Sequence, residues 1–349
     1  MVSYENCKRC GYCLYTCPSY KALGFKESSS PRGRLQLLEM LNRNVMKVSL
    51  EYIKRMYTCT LCNKCGKICV SGINVADEIR KARIRLIDEG YLVSPVIDEM
   101  ATRLRNKGFV AGEPEPIQAK DAEVIYYPGC VVKNFAQDYG KSDYKIIASF
   151  LSHDARTFMP VCGGGLISEA GDEALGDISL RRLKSSLENL DFGRIVTSCP
   201  ICLVRLEKIV GRDRVSHMTE VIVELEIKYR KRFRSKIAYF KPCYLPDERN
   251  KTLEMLEQMP GVEPIELKET GCCGGGGGVT YFAHEDSARK IAELMMIEAM
   301  SMGADIIVAP CPVGYLNLKS VEGLGKPKVL SPAQIVEKAA SRKLLWVKL

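Results

Sequence analysis

The sixteen cysteines of this 349-residue chain fall into repeated spacings. "CKRCGYCLYTCP" sets Cys7, Cys10, Cys13 and Cys17 in a C-x2-C-x2-C-x3-C-P run. "CTLCNKCGKIC" repeats the spacing at Cys59, Cys62, Cys65 and Cys69, with Val70 where the proline would stand. Three thiolates on one tight turn can each reach a different iron of a cubane, and the trailing cysteine, one turn on, faces a second cubane. The two runs therefore predict two [4Fe-4S] clusters with crossed ligation. One uses Cys7, Cys10, Cys13 and Cys69; the other uses Cys59, Cys62, Cys65 and Cys17. Zinc also takes four thiolates, but its sites favour two C-x2-C pairs over two triplets with a trailing cysteine.

The other eight cysteines lie in the C-terminal two thirds: Cys130, Cys162, Cys199 and Cys202, then Cys243, Cys272, Cys273 and Cys311. Cys272 and Cys273 are adjacent and run into Gly274–Gly278. This is no phosphate loop, because no Gly-Lys-Ser/Thr follows. Glycine does let a backbone approach a bulky inorganic body and aim its N–H groups at anionic sulfur. No G-x-G-x-x-G start is present, so neither flavin nor nicotinamide is indicated.

The elements that must position these thiols differ between the two parts. In "GRLQLLEMLNRN" Leu35, Leu38 and Leu41 recur at helical spacing, and "VADEIRKARIRLIDEG" repeats the pattern before Gly90, a suitable C-cap. "VAGEPEPIQAKD" reads as a linker. Beyond it, "EVIYYPGC", "RIVTSCPIC", "KIAYFKPC" and "DIIVAPCPV" read as strands ending at Cys130, Cys199, Cys243 and Cys311, with helices such as 285–301 between them. Alternating strand and helix predicts α/β layers on a mostly parallel sheet. There is also an internal repeat. "YYPGC" matches "YFKPC", "VCGGG" matches "CCGGG", "IVTSCPIC" matches "IVAPCPVG" and "RVSHMTEVIVEL" matches "KVLSPAQIVEKA", in the same order. Two tandem copies of one unit are expected, joined near Arg232–Ser235, with their cysteines at strand ends where open α/β sheets bind ligands.

The pattern of a lone Cys, then Cys-Cys-Gly, then C-x-x-C resembles the cysteine-rich CCG domain, which occurs twice in heterodisulfide reductases and in glycolate oxidase iron–sulfur subunits. The long step from Cys17 to Cys59 resembles the all-helical ferredoxin domain of succinate dehydrogenases and heterodisulfide reductases, and "SPRGRLQLL" is similar to the corresponding stretch of glycolate oxidase iron–sulfur subunits. The resemblance covers essentially the whole chain. It implies an α-helical ferredoxin domain (1–115) and two tandem α/β CCG domains (116–233 and 234–349). In the family a full CCG site holds a non-cubane iron–sulfur cluster on five cysteines. Here Val161 replaces the first cysteine of the pair in copy one, and Gly314 replaces the last cysteine in copy two. Each site keeps four thiols, so the expectation is one or two further iron–sulfur clusters, with zinc an alternative in one. Cys243, Cys272, Cys273 and Cys311 are expected to converge on one centre and are the candidates for redox chemistry.

The formal charge of +9 counts every cysteine as neutral. Two cubanes at roughly −2 each would bring it to about +5, so the basic residues partly balance clusters. No basic groove with interleaved aromatics is visible, and nucleic acid is not an expected partner. "KYRKRFRSK" (228–236) reads as a helix end and hinge, with docking to an acidic partner or an anionic membrane surface as the alternative. His153, His217 and His284 are read as structural. With no apolar run long enough to span a bilayer and no secretory h-region, a cytoplasmic protein is expected, reaching the inner membrane face only through a partner. The resemblance implies an electron-transfer subunit working between a flavoprotein dehydrogenase and a quinone, ferredoxin or disulfide acceptor, with a membrane cytochrome or quinone subunit as a further partner. The alternative is a heterodisulfide reductase that cleaves S–S bonds at a CCG cluster.

Overall fold

The computed structural model describes residues 4–113, 121–188, 190–225, 227–229 and 234–340. Most of the expected linker and part of the hinge stretch lie outside the described residues.

The N-terminal region is helical and its helices start where the sequence signals them. Ser30 caps Pro31–Asn42, its Oγ accepting from the Gly33 amide at 2.8 Å, with Pro31 pre-set at the first helical position. Ser49 caps Leu50–Tyr57 and Asn74 caps Val75–Asp88 in the same way. Pro95–Lys107 ends at Gly108, whose φ of +79° suits glycine. The buried faces, Leu35, Leu38 and Leu41 against Ile79, Ala82 and Leu86, form one core that continues into Ile125, Leu166 and Ile195 of the first α/β unit.

Two four-stranded parallel sheets follow. The first has β1 (Ala122–Tyr126), β2 (Ala155–Thr157), β3 (Phe192–Thr197) and β4 (Val215–His217) in the order β2-β1-β3-β4. The second has β5 (Ser235–Tyr239), β6 (Val262–Glu266), β7 (Ile306–Val308) and β8 (Lys328–Leu330) in the order β6-β5-β7-β8. The repeat read from the sequence is thus a repeat of topology, strand for strand. In both sheets the chain steps to one side after the first strand and to the other after the second, which opens a crevice at the carboxyl ends of β1/β3 and β5/β7.

The strands stop short of the cysteines at which the sequence reading ended them. Cys130 sits in the first turn of the helix Gly129–Phe135, and Cys199 and Cys311 are the N-caps of Pro200–Val210 and Pro312–Lys319. Proline explains this. It has no N–H for a ladder bond, and at the first turn of a helix it needs none, so Pro200 and Pro312 turn strand into helix just after the thiol.

The two units pack reciprocally. Gln137–Ile146 of the first lies on Pro332–Ala339 of the second, while Thr252–Glu257 of the second lies on Met218–Glu224 of the first. That exchange of equivalent contacts is the mark of a pseudo-two-fold rather than of a translation. Val124, Tyr126 and Val196 share a core with Ile237, Tyr239 and Val308 across the axis.

Candidate iron–sulfur sites

The two N-terminal loops wind alike. Arg9 and Leu61, each just before the second cysteine of its run, have φ of 53° and 52°; Gly11 and Asn63, each just after it, have φ of 80° and 53°. Non-glycine residues hold this left-handed conformation at a cost of order 1–3 kcal/mol, which the surroundings must offset. The shared twist turns the first three thiols of each run inward. Cys7, Cys10, Cys13 and Cys69 line one cavity of about 30 Å³, with Arg32 and Leu35. Cys17, Cys59, Cys62 and Cys65 line a second of about 20 Å³, with Arg34 and Thr60. Cys65 borders both.

Arg34 is wholly buried. Its Nε donates to the Arg55 carbonyl at 2.7 Å and its Nη2 to Thr58 Oγ1 at 3.3 Å. Burial pushes the Cys17 thiol up to about 11, and the Arg34 charge pulls the other way. Burial also raises Cys65 and Cys13. Thiols held protonated by burial give up their protons when a metal binds, so loading these sites releases protons.

The α/β units bring their thiols together across the pseudo-two-fold. Cys130, Cys162, Cys199 and Cys202 of the first and Cys243, Cys273 and Cys311 of the second line one cavity of about 70 Å³. Its walls are otherwise apolar, with Leu166, Ile201, Leu206, Phe240 and Val313. The charged Arg205 on its edge is committed, donating from Nε to the Gly163 carbonyl at 3.0 Å and also to Gly176. In the first unit the thiols pair. The hydrogen bond between Cys130 and Cys162 raises the former and lowers the latter, and that between Cys199 and Cys202 lowers Cys199 and raises Cys202. In the second unit burial raises Cys243, Cys273 and Cys311.

Cys272 does not line this cavity. Its Sγ lies 3.4 Å from Thr60 Oγ1 and in hydrogen-bond contact with Cys62 of the N-terminal region. That contact lowers the Cys62 thiol to about 6 and, with burial, raises Cys272. The glycines after Cys273 are packed rather than roomy. A Cβ on Gly275 would stand 2.4 Å from Val313 Cγ1, and Gly274, Gly276, Gly277 and Gly278 all have positive φ. Gly275, Gly276 and Gly277 still border the cavity.

Among the described residues no three Cys, His, Asp or Glu side chains close on a single ion. The thiols instead ring cavities, an all-sulfur donor set that suits iron–sulfur clusters. His217 is structural, capping Met218–Glu224 and bonding the Ser198 carbonyl through Nε2 at 3.2 Å.

Sequence reading missed three residues that hold these sites. Arg83, buried, donates to the Cys59 carbonyl at 2.6 Å. Lys64 Nζ donates to the carbonyls of Lys268, Glu269 and Thr270 at 2.9, 3.0 and 3.1 Å. Asp143, buried, accepts from Tyr126 Oη and from Ser198 Oγ, beside Cys199, at 2.8 and 2.5 Å. Only Arg83 left a trace in the sequence, as a charge on the apolar face of an otherwise amphipathic helix.

Comparison with known proteins agrees with this arrangement. The family "4Fe-4S dicluster domain" matches residues 3–73, and the family "Cysteine-rich domain" matches residues 124–207 and 237–319. One of the subunits of the dihydromethanophenazine:CoB–CoM heterodisulfide reductase of Methanosarcina barkeri is 24% identical over 91% of this chain and 89% of its own length. The probable glycolate oxidase iron–sulfur subunit of Bacillus subtilis is 20% identical over 97% of this chain and 94% of its own. A hypothetical protein from Helicobacter pylori shares the fold, with a TM-score of 0.60 at 12% identity over 89% of this chain and 68% of that one. No helix among the described residues is long and apolar enough to cross a membrane.

Proposed function

For this chain, a CCG-type iron–sulfur protein in which a 4Fe-4S dicluster domain precedes two cysteine-rich domains, we propose the role of an electron-transfer subunit in an oxidoreductase complex. It would carry electrons between a flavoprotein dehydrogenase and a quinone, ferredoxin or disulfide acceptor. Cys7, Cys10, Cys13 and Cys69 would hold one cubane, and Cys59, Cys62, Cys65 and Cys17 the other. The paired and clustered thiols of the two α/β units would hold one or two further centres, within domain limits of about 1–115, 116–233 and 234–349.

The observation that carries this reading is the succession of thiols: Cys65 borders both dicluster cavities, and Cys62 on the wall of the second touches Cys272, next in the chain to Cys273 on the wall of the cavity shared by the α/β units. Iron–sulfur clusters, when bound, supply one-electron carriers. The chain's own residues do the rest. Buried Arg34 and Arg83 brace the second dicluster cavity through the carbonyls of Arg55, Met56 and Cys59. The largely apolar walls of the shared cavity would lower the local dielectric around its sulfurs, which tunes potential.

The test is anaerobic purification, with iron and acid-labile sulfide counted and the reduced protein offered a quinone analogue or a small disulfide. Iron with matching sulfide and quick reoxidation by the quinone support the relay. Turnover of the disulfide by the isolated chain would make it a reductase in its own right. Zinc without sulfide would overturn both.

A further inference from the structure

We infer that the dicluster region exchanges electrons with the second α/β unit and not directly with the first, through the contact of Cys62 with Cys272, and that Lys64 is the positioning residue that holds this contact. The inference rests on the electron-transfer reading above and adds a route to it.

The pseudo-two-fold allows equivalent residues to be compared. Val161 and Cys272 occupy the same place in the two copies, and each turns away from the shared cavity toward the helical N-terminal region. Val161 packs on Gly108, whose hypothetical Cβ would lie 3.1 Å from Val161 Cγ1. Cys272 instead meets Thr60 and Cys62, on the wall of the second dicluster cavity. The same loop position thus carries sulfur where it faces a dicluster thiol and a hydrocarbon where it faces the end of a helix. Cys62 is within electrostatic reach of Cys243 and Cys273 as well as Cys272. The first-unit thiols Cys130 and Cys202 interact most strongly with one another and with Cys162 and Cys199. The remaining step is short too, since Cys311 of the second unit is in reach of Cys199 of the first. The thiols therefore form a line: first dicluster set, second dicluster set, second α/β unit, first α/β unit.

The loop that presents Cys272 is held from both sides. Lys64, two residues after Cys62, takes the carbonyls of Lys268, Glu269 and Thr270. Glu298, buried on the helix Glu285–Ser301, takes the amides of Glu269 and Thr270 at 2.9 and 2.8 Å. An ammonium on the carbonyls and a carboxylate on the amides fix the peptide planes just before Cys272. Clusters held by Cys17, Cys59, Cys62 and Cys65 and by Cys243, Cys273 and Cys311 would supply one-electron carriers on either side of this contact, with no bond or proton exchanged at the sulfurs.

The experiment uses the iron-loaded full chain, reduced with dithionite and followed by freeze-quench EPR. Lys64→Met should keep wild-type iron and sulfide. Arrival of electrons at the second unit should slow several-fold, because tunnelling between carriers falls off steeply with their separation. The magnetic interaction between the second dicluster centre and the second-unit centre should weaken, and Lys64→Arg, which keeps the donors, should restore both. Unchanged rate and interaction in a fully loaded Lys64→Met protein would overturn the route and leave the electron-transfer reading intact. Should Lys64→Met not hold iron, the wild-type spectrum decides. Coupling of the dicluster centres to the first-unit centre, with none to the second, overturns the inference; the reverse supports it. A wild-type chain without iron overturns the underlying reading instead.

Discussion

Arg83 Nη1 donates to the carbonyl oxygen of Glu169 at 2.9 Å, joining the helical N-terminal region to the first α/β unit. The same guanidinium stacks over Tyr57, whose hydroxyl bonds the Ala170 carbonyl at 2.5 Å. Glu169 Oε2 in turn accepts from Tyr244 of the second unit at 2.8 Å. One buried cation thus braces a point where all three parts of the chain meet. Arg83→Met should strand the carbonyls of Met56, Cys59 and Glu169, at about 1–3 kcal/mol for each buried acceptor left unpaired. Because Cys59 loses its brace, iron should leave the Cys17, Cys59, Cys62 and Cys65 set first. An anaerobic melt read by iron release checks this, and a wild-type melting curve would contradict it.

Crossed ligation makes a prediction that uncrossed ligation reverses. Cys17→Ser should deplete the centre at Cys59, Cys62 and Cys65 and spare that at Cys7, Cys10 and Cys13; Cys69→Ser should do the opposite. The cavities lined by these thiols motivate the expectation. Iron counts should fall by up to about four per chain in each variant, and the EPR signals that disappear should differ. The same signal lost in Cys7→Ser and Cys17→Ser would mean that each run serves its own cluster.

What could be read from the sequence depended on the range of the interactions. Helices with local caps, such as Pro31–Asn42 behind Ser30, were legible because the signal lies within four residues. The doubled topology was legible because a repeat carries its own comparison. Thiol-lined cavities could be expected from spacing alone. The direction of Cys272 could not, because adjacent residues on a turn point apart and only the position of Thr60 and Cys62 decides which one faces them. Lys64 was illegible for the same reason: its partners lie about two hundred residues away in the chain. The strands end before the cysteines because Pro200 and Pro312 start helices just after the thiols, a local effect that strand-like residue composition hides.

Two buried groups joined through Ser198 should shape the pH dependence of stability in opposite senses. Burial raises Asp143 from 3.8 to about 7, against the hydrogen bonds from Ser198 and Tyr126, and its Oδ1 has no partner among the described residues. Between about pH 4 and 7 the folded state keeps a proton that the unfolded state has lost, so stability falls as pH rises through that window, by at most ~4 kcal/mol. Burial lowers His217 from 6.5 to about 4. Below pH 6.5 the unfolded state takes up a proton first, so stability falls on acidification, by ~3 kcal/mol at most. Asp143→Asn should remove the loss toward neutral pH and leave the acid limb. Anaerobic Tm values from pH 4.5 to 8 test it; a variant profile parallel to wild type would mean that Asp143 is ionised throughout.

Gly314 stands where the CCG pattern has its last cysteine, and the packing around it predicts what restoring that thiol would do. A Cβ at 314 would lie 2.9 Å from Phe240 Cζ and 3.3 Å from both Cβ and Sγ of Cys273. Phe240 is buried in the core that also holds Met295 and Ile307, so its ring must shift to admit the new side chain. Gly314→Cys alone should therefore destabilise the chain by about 1–3 kcal/mol through overpacking. Adding Phe240→Leu should relieve the clash and recover most of that loss. It would also bring a fourth thiol to the cavity edge beside Cys243, Cys273 and Cys311, and iron in the second unit should rise or be held more tightly against a chelator. Val161→Cys is the matched control: position 161 packs on Gly108 outside the shared cavity, so it should change neither iron content nor chelator resistance. Iron gained by Val161→Cys and not by the double variant would show that the outward-facing position of each copy, and not the C-x-x-C end, completes the site.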